Sequence, residues 1–355
     1  MLSISVAIAA MLATRIESTG YLVIPVKFAD TKSKPALSRK QLEGLFFQRQ
    51  IGVVDFYKES SYGKFDLSKT VIADEVTLPL AAGQYVSRGQ PWERSAKGFF
   101  SHQRLADDLS PLICTKYDIT KYFGVFIFPN AYDEVPQGGS GIDAKFLASS
   151  KSPILEKLAY VEPNTATPCF IVHEIGHHLN LSHVVMEGQK SLTASAMAFI
   201  GKSHPEVGTV TCDHIMWQKE LLGWISPGEC ANVNSSGVQK VKLVARTQQG
   251  PGIKLVKVRL SPTQVVTAEA VLPFGVDALA DLRLYGLLVT VIDEDKCKFE
   301  NFGQLADECL PSTQISSSQL PVFKTGDQWV SRDRRARIKV DEVGKYSISL
   351  TVELS

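Results

Sequence analysis

One stretch of the chain combines histidine and glutamate at a spacing suited to metal chemistry. Residues 173–183 read His-Glu-Ile-Gly-His-His-Leu-Asn-Leu-Ser-His and hold four of the protein's seven histidines. His173 and His177 are four residues apart, so on a helix both imidazoles lie on one face and can reach one metal ion. Glu174 follows the first of them, where its carboxylate can hold a metal-bound water.

His183 is the third candidate ligand. It lies six residues after His177, too far along to share the helix face, so the chain must turn sharply between them. Asn180 falls at that turn, and asparagine tolerates a left-handed backbone better than other non-glycine residues. Three neutral imidazoles predict one Zn²⁺ ion with a fourth position open for water, whose pKa the metal lowers. Glu174 is then predicted to act as the general base and to return the proton to the leaving amine.

The same stretch resembles the zinc signature of the metzincin peptidases, His-Glu-x-x-His-x-x-Gly-x-x-His, with Asn180 in the glycine position. Metzincins carry a methionine turn beneath the metal, and Met197 in Ser-Ala-Met-Ala-Phe matches it best. Met186 is the rival, but it follows the third histidine too closely to return beneath the zinc. Some metzincins place a tyrosine two residues after this methionine. Here that residue is Phe199, so the hydroxyl contact is absent.

Two further stretches resemble the gametolysin and immune-inhibitor-A groups of secreted metallopeptidases. Residues 55–65 are similar to their Phe-x-x-x-x-Ser-Tyr-Gly-Lys stretch, and residues 217–225 are similar to their Lys-x-x-Leu-Gly-Trp segment. Residues 286–293 resemble a strand of their downstream β region. The resemblance implies a secreted zinc metalloendopeptidase that cleaves extracellular protein or peptide substrates, which bind extended along an edge strand.

The elements that must position this site follow from hydrophobic periodicity. We expect an α+β, metzincin-like catalytic domain over residues 18–228, with a twisted mixed sheet and an active-site helix. Helical spacing is present over residues 38–59 and 92–112, and Tyr122–Pro129 is typical of a central buried strand. The substrate-binding edge strand is expected at 142–147 or at 158–161, and the pattern does not choose between them.

Beyond residue 237 the pattern changes from helical to strand-like. Long helical periodicity is scarce there, which predicts an all-β, sandwich-like C-terminal domain over residues 237–355. The predicted strands are Val238–Ala245, Ile253–Leu260, Val265–Leu272, Leu284–Ile292 and Ile338–Leu354.

Composition limits the environment and the partners. With 355 residues, 44% apolar content and a net charge of +1, the chain can bury two cores. A net charge so close to zero gives no reason to expect nucleic acid or an anionic membrane as a partner. Residues 1–13 form an apolar run too short to span a bilayer, and we interpret it as a signal peptide. We therefore expect a secreted monomer without stable membrane insertion, while any need for Ca²⁺ stays open.

The number and spacing of the six cysteines also favour a secreted protein. An even number without a Cys-x-x-Cys pair favours disulfides in a secreted protein over a cysteine-bound metal. Pairing of neighbours along the chain predicts Cys297–Cys309 and Cys212–Cys230, which leaves Cys114–Cys169. Buried free thiols are the alternative.

Several other residues have a supporting interpretation. His178 lies outside the ligand spacing, so we expect it to support the site or to lie at the surface. His214 can contact the active site or the substrate, but a capping or surface position is favoured. Tyr62 and Trp224 are expected to pack rather than to react.

Two other functional classes fit parts of the pattern. One is a catalytically inactive metzincin relative that binds protein or glycan through the β-rich domain, although the intact Glu174 argues against it. The other is a metal-dependent hydrolase of bonds other than peptides. A protease assay with and without a chelator separates all three.

Overall fold

The computed structural model describes residues 19–30, 37–87, 99–130, 139–140, 158–161, 165–179, 181, 195–198, 201–279, 285–293 and 322–355. These residues form a mixed α/β structure in which several sheets are combined with few helices. The predicted signal peptide at 1–13 lies outside them. Within the described ranges, no helix has the length and apolar content needed to cross a bilayer.

Among the described residues, the α-helices all precede the β-rich part of the chain. They are α1 (Arg39–Phe47), α2 (Val53–Ser60), α3 (His102–Ile113), α4 (Pro168–His178) and α5 (Met216–Leu221). The helical spacing predicted over residues 38–59 is divided between α1 and α2. Gln50 has a φ of 71°, outside the helical region, and Gly52 then caps α2 in an extended conformation. The backbone therefore turns between two short helices that share one apolar face.

The strands are short in the first half of the chain and longer in the second. The first ten are β1 (Tyr21–Lys27), β2 (Val71–Ile72), β3 (Val76–Thr77), β4 (Val86–Ser87), β5 (Phe99–Phe100), β6 (Gly124–Pro129), β7 (Gly139–Ser140), β8 (Leu158–Tyr160), β9 (Gly201–His204) and β10 (Gly208–Thr211). The others are β11 (Cys230–Val233), β12 (Gly237–Val244), β13 (Leu255–Arg259), β14 (Gln264–Val271), β15 (Gly286–Asp293), β16 (Val322–Phe323), β17 (Gln328–Val330), β18 (Ala336–Val343) and β19 (Ser347–Leu354).

The first sheet has the order β2-β1-β6-β8-β7, and β3 also pairs with β1. Its strands are parallel except β7, which runs antiparallel to β8 at the edge. Strand β6 is buried along its whole length and pairs with β1 from Tyr21 opposite Gly124 to Val26 opposite Pro129. This confirms the central buried strand predicted there. The predicted candidate at 158–161 contains β8, which lies between β6 and β7 and is therefore not the edge.

Side chains of the first sheet alternate between two apolar cores. Tyr21 and Val23 of β1 pack with α1, α2 and α4 on one face. Leu22 and Ile24 point to the other face, where α3 covers them. This alternation is the two-residue period of a strand, and each fully buried aliphatic side chain contributes about 1.5–3 kcal/mol. The sheet thus holds α4 on one face only.

The β-rich part is a two-sheet sandwich. One sheet has the order β11-β13-β14-β15-β16 and the other has the order β12-β19-β18-β17. Leu243, Ile338 and Leu350 from the second sheet pack against Val256 and Ala268 from the first. The predicted run at 338–354 is a hairpin of two strands, β18 and β19, rather than one strand.

The two parts of the chain also share a core. Val271 of β14 and Leu288 of β15 belong to the same apolar cluster as Ile175 of α4 and Trp224. The side chain of Lys64 donates to the carbonyl oxygen of Trp224 at 2.8 Å. The segments predicted as domains 18–228 and 237–355 are therefore in direct buried contact, and the two short motifs at 55–65 and 217–225 meet at this junction.

The described cysteines are thiols. No disulfide joins Cys114, Cys169, Cys212 and Cys230 in the structure, so the pairings predicted for these four are not formed. Cys114 ends α3 on one face of the first sheet, whereas Cys169 lies in α4 on the opposite face. Cys212 is fully buried and Cys230 is half-buried at the start of β11. The predicted pair Cys297–Cys309 lies outside the described residues.

Thiol accessibility tests this arrangement. Iodoacetamide at mildly alkaline pH should alkylate the exposed Cys114 in the native protein. Burial raises the pKa of Cys169 to about 11 and that of Cys212 to about 12, so both should react only after denaturation. Peptide mapping by mass spectrometry reads out each site. A native protein whose Cys114 peptide is joined to the Cys169 peptide would contradict the structure.

Candidate metal centre

Helix α4 carries the metal-binding pattern and is well specified by its own sequence. Thr167 caps its first turn, with its hydroxyl oxygen accepting from the Phe170 N–H at 3.3 Å, and Pro168 occupies the first helical position. Ile171, Val172 and Ile175 are fully buried and fasten the helix to the first sheet. The helix is therefore rigidly placed, and its histidines project from a fixed backbone.

Two of the three histidines of α4, His173 and His177, converge on one point. Their Nε2 atoms lie 3.1 Å apart, and the ring planes are nearly perpendicular at 88°. His173 is fully buried and His177 is half-buried. In a tetrahedral zinc site with Zn–N distances of about 2.0–2.1 Å, two ligand nitrogens are separated by about 3.3–3.4 Å. The observed separation is within a few tenths of an ångström of that value.

The other ring nitrogens determine how these imidazoles are protonated. Nδ1 of His173 lies 3.1 Å from the carbonyl oxygen of Ala196, and Nδ1 of His177 lies 2.9 Å from that of Leu181. A carbonyl oxygen only accepts, so each Nδ1 must carry the proton and donate it. In the neutral rings both Nε2 atoms are then acceptors, and at 3.1 Å they repel each other. A shared cation removes that repulsion, and the outer carbonyl contacts are those typical of metal-bound histidine.

Glu174 lies beside this pair in a nearly dry environment. Its side chain is 3% exposed. Burial raises the pKa of Tyr57 well above its ordinary value, and the carboxylates of Asp213 and Glu174 add to that shift, which places Glu174 within electrostatic reach of the Tyr57 ring. Glu174 is thus a buried carboxylate one residue after His173, a group of the chemical type that can accept a proton.

The turn predicted to be the methionine turn, Ala196–Ala198, lies directly against α4. Met197 is fully buried in the single turn Ala196–Ala198, and a Cβ atom added to Gly176 would collide with its sulfur. The same turn supplies the Ala196 carbonyl to His173. The glycine between the two histidines therefore lets the methionine approach the helix backbone beneath the candidate ligands.

His178 has a different environment from its neighbour. Its Nδ1 lies 2.9 Å from the hydroxyl of Tyr21, and its ring stacks on that tyrosine with centroids 5.7 Å apart. It also contacts the Phe126 ring of β6. His178 is half-buried and packs toward the first sheet, consistent with a supporting role.

His214 is buried rather than at the surface, which corrects the expectation for this residue. It has no exposed area, and its ring packs among Phe56, Tyr57 and Trp224 at centroid distances of 5.8, 5.8 and 6.0 Å. Neither ring nitrogen has a hydrogen-bond partner among the described residues. Burial, and then Lys219 and Arg246, lower the pKa of His214 to about 3. It is a neutral packing residue behind α4, on the side where Gly176 lies.

Several predicted site residues fall outside the described part of the chain. These are His183, Asn180, Phe199 and the rival Met186. In the described ranges no group of three or more His, Cys, Asp or Glu side chains is arranged to hold a metal. The third-ligand assignment of His183 thus stays a prediction from spacing.

The edge of the first sheet lies near the histidine pair. Strand β7 is the antiparallel edge strand, and α4 packs close to it. The candidate at 142–147 lies outside the described residues. One edge of β7 is not paired with any described strand, and an extended chain can add to such an edge through backbone hydrogen bonds.

Comparison with known proteins adds no assignment. No protein-family model matches the chain, and no curated protein is similar to it at a significant level. The chemistry of the site therefore has to be inferred from its own geometry.

A substitution that adds one methyl group at Gly176 tests its close approach to Met197. Gly176→Ala should destabilise the protein by about 1–3 kcal/mol, because the added Cβ overpacks the methionine turn. Gly44→Ala in α1 is the matched control, since a Cβ there meets no atom within 4 Å. That variant should be neutral or stabilised by about 0.5–1 kcal/mol. Urea unfolding midpoints measure both, and equal midpoints would argue against the contact.

The buried His214 should make stability depend on pH. Its pKa of about 3 in the folded state is below the unfolded value of about 6.5, so between these values the unfolded chain binds the extra proton. The stability that neutral His214 contributes is complete above pH 6.5. It is lost as the pH falls toward 3, at up to about 1.4 kcal/mol per pH unit.

The matched variant for this effect is His214→Leu, which removes the titrating ring from the same apolar surroundings. Urea unfolding of both chelator-treated proteins between pH 8 and pH 4 gives the comparison. The wild type should lose more stability on acidification than the variant. Two parallel stability curves would show that His214 titrates normally.

Proposed function

We propose that this protein is a zinc-dependent endopeptidase of metzincin type. The observation that carries the proposal is the pair of Nε2 atoms of His173 and His177, 3.1 Å apart, with both Nδ1 protons directed at carbonyl oxygens. This arrangement fits a divalent cation that prefers imidazole nitrogen. His183 would complete the ligand set, as its spacing predicts.

A bound zinc ion supplies Lewis acidity, which polarises a scissile carbonyl and acidifies water. The chain's own residues supply the rest. Glu174, one residue after His173, accepts the proton of the attacking water and later donates it to the leaving amine. Its burial limits the access of bulk water to that carboxylate.

The predicted methionine turn holds the helix and the ring of His173 in the positions that these roles require. Met197 fills the space against Gly176, and Ala196 holds the ring of His173 through its carbonyl. A ring fixed at Nδ1 presents its Nε2 lone pair in one direction. The ligand pair is thus formed by the protein before any metal binds, which lowers the cost of ordering it.

The edge of the first sheet supports a peptide as the substrate. Strand β7 is short and antiparallel, and one of its edges is not paired with any described strand. A substrate chain in extended conformation can add there through backbone hydrogen bonds. We propose extracellular protein or peptide as the substrate class, in keeping with the predicted signal peptide.

Glu174→Gln separates catalysis from metal binding. This variant should keep the zinc content of the wild type, because no ligand is removed, and should lose turnover by about 10²–10⁴-fold. His173→Ala should lose both zinc and turnover. Zinc content is measured by elemental mass spectrometry, and turnover is measured as cleavage of a peptide library with and without a chelator.

The matched control for this change is Glu43→Gln, which neutralises a half-exposed carboxylate on α1 far from the histidines. It should cleave as fast as the wild type. Glu174→Gln protein that cleaves at the wild-type rate, or cleavage that survives removal of the metal, would refute the proposed reaction. Zinc binding without any peptide cleavage would favour the inactive binding relative instead.

A further inference from the structure

Five charged side chains are buried where the two parts of the chain meet. This junction cluster consists of Asp213, Lys219, Arg246, Glu269 and Asp277. Arg246 is at its centre. Its Nε and Nη2 donate to the two carboxylate oxygens of Asp277 at 2.7 Å each, and its Nη1 donates to Glu269 at 2.8 Å. A planar guanidinium held at both forks leaves Asp277 one orientation.

A chain of hydrogen bonds leads from this cluster to the candidate metal ligand. The Asp213 N–H donates to Oδ1 of Asp277 at 3.0 Å. The carbonyl oxygen of Asp213 accepts from the Ala196 N–H at 3.2 Å. The carbonyl oxygen of Ala196 in turn accepts from Nδ1 of His173 at 3.1 Å. Three hydrogen bonds therefore join Asp277, in the β-rich part, to the imidazole of the candidate ligand His173.

Two further sets of contacts hold the residues of this hydrogen-bond chain in place. Lys219 of α5 forms an ion pair with the carboxylate of Asp213, which also accepts from the hydroxyl of Ser60. Glu269 accepts from the Met216 N–H. The segment between the methionine turn and α5 is thus held from both ends by the same cluster.

Buried charged side chains are not needed merely to fill the space at this junction. Apolar residues of similar volume often stabilise a core as well as or better than buried ion pairs, because desolvation of the charges is costly. Charged hydrogen bonds have direction, however, and they hold a peptide group in one orientation. The cluster is therefore suited to positioning the backbone of Asp213 and Ala196.

We propose that Arg246 is a positioning residue of the metal centre, which sets the orientation of the His173 ring through Asp277, Asp213 and Ala196. This rests on the part of the proposed function that makes His173 a metal ligand. The β-rich region is then an integral part of the catalytic unit, since its Arg246, Asp277 and Glu269 hold the turn beneath the metal.

The test compares Arg246→Met with Lys254→Met in the full chain. Lys254 is the matched control: its side chain is also buried and ion-paired, to Glu229, and it lies in the same junction. Among the described residues the Lys254 side chain makes no direct hydrogen bond to the junction cluster or to the turn at Ala196–Ala198; its ammonium contacts Glu229, Gly250 and the Tyr62 ring. Cobalt-substituted protein reports ligand geometry through its visible absorption, and competition with a chromophoric chelator reports zinc affinity.

Arg246→Met should shift the cobalt spectrum and weaken zinc binding by about 10–100-fold, as expected for loss of an outer contact to a ligand. Arg246→Lys should restore part of both. Lys254→Met should leave the spectrum and the zinc affinity as in the wild type, whatever its melting temperature. Asp277→Asn, which keeps the side-chain shape, replaces Arg246→Met if that variant does not fold, with the same expected changes.

An unchanged spectrum and zinc affinity in folded Arg246→Met or Asp277→Asn would overturn the positioning role, as would an equal loss in Lys254→Met. Wild-type protein that binds neither metal ion would overturn both this role and the proposed function. Wild-type protein that binds metal but cleaves no peptide would remove the peptidase assignment alone, because these readouts do not depend on turnover.

Discussion

Two acceptor nitrogens held 3.1 Å apart form the constraint on which the rest of the site depends. The Nδ1 atoms of His173 and His177 each face a carbonyl oxygen, so their Nε2 atoms meet as acceptors 3.1 Å apart. Such an arrangement is unfavourable in a low-dielectric interior unless a cation lies between the rings. The fold fixes this arrangement through the backbone carbonyls of Ala196 and Leu181, which depend on the turns that follow the helix. We propose that a cation occupies it.

The turn at Ala196–Ala198 packs closely against α4, and residues from distant parts of the chain hold that turn in place. Gly176 admits Met197, and the Ala196 peptide is held by Asp213, which is held in turn by the β-rich part. The Ser-Tyr-Gly-Lys stretch serves the same junction. Ser60 donates to Asp213, and the Tyr62 hydroxyl donates to the carbonyl oxygen of Arg246. These residues have no proposed catalytic role, and their hydrogen bonds hold the junction between the two parts of the chain.

Local features could be predicted from the sequence, and long-range ones could not. The shared face of His173 and His177 follows from helical period, and the buried β6 follows from its unbroken apolar run. The burial of His214 was missed because it follows the charged Asp213 locally, while its aromatic neighbours come from other segments. The predicted Cys114–Cys169 pairing was wrong because the sequence does not tell which face of the sheet a side chain occupies. Arg246 carried no sequence signal, since its partners lie 23 and 31 residues away.

The central claim is that imidazole nitrogens, and not thiolates, bind one zinc ion here. X-ray absorption at the zinc edge of the protein loaded with one equivalent of zinc tests it most directly. The account predicts about three imidazole nitrogens at about 2.0–2.1 Å with the scattering pattern of imidazole rings, and no sulfur at about 2.3 Å. Sulfur in the coordination sphere, or zinc held by oxygen ligands alone, would contradict it.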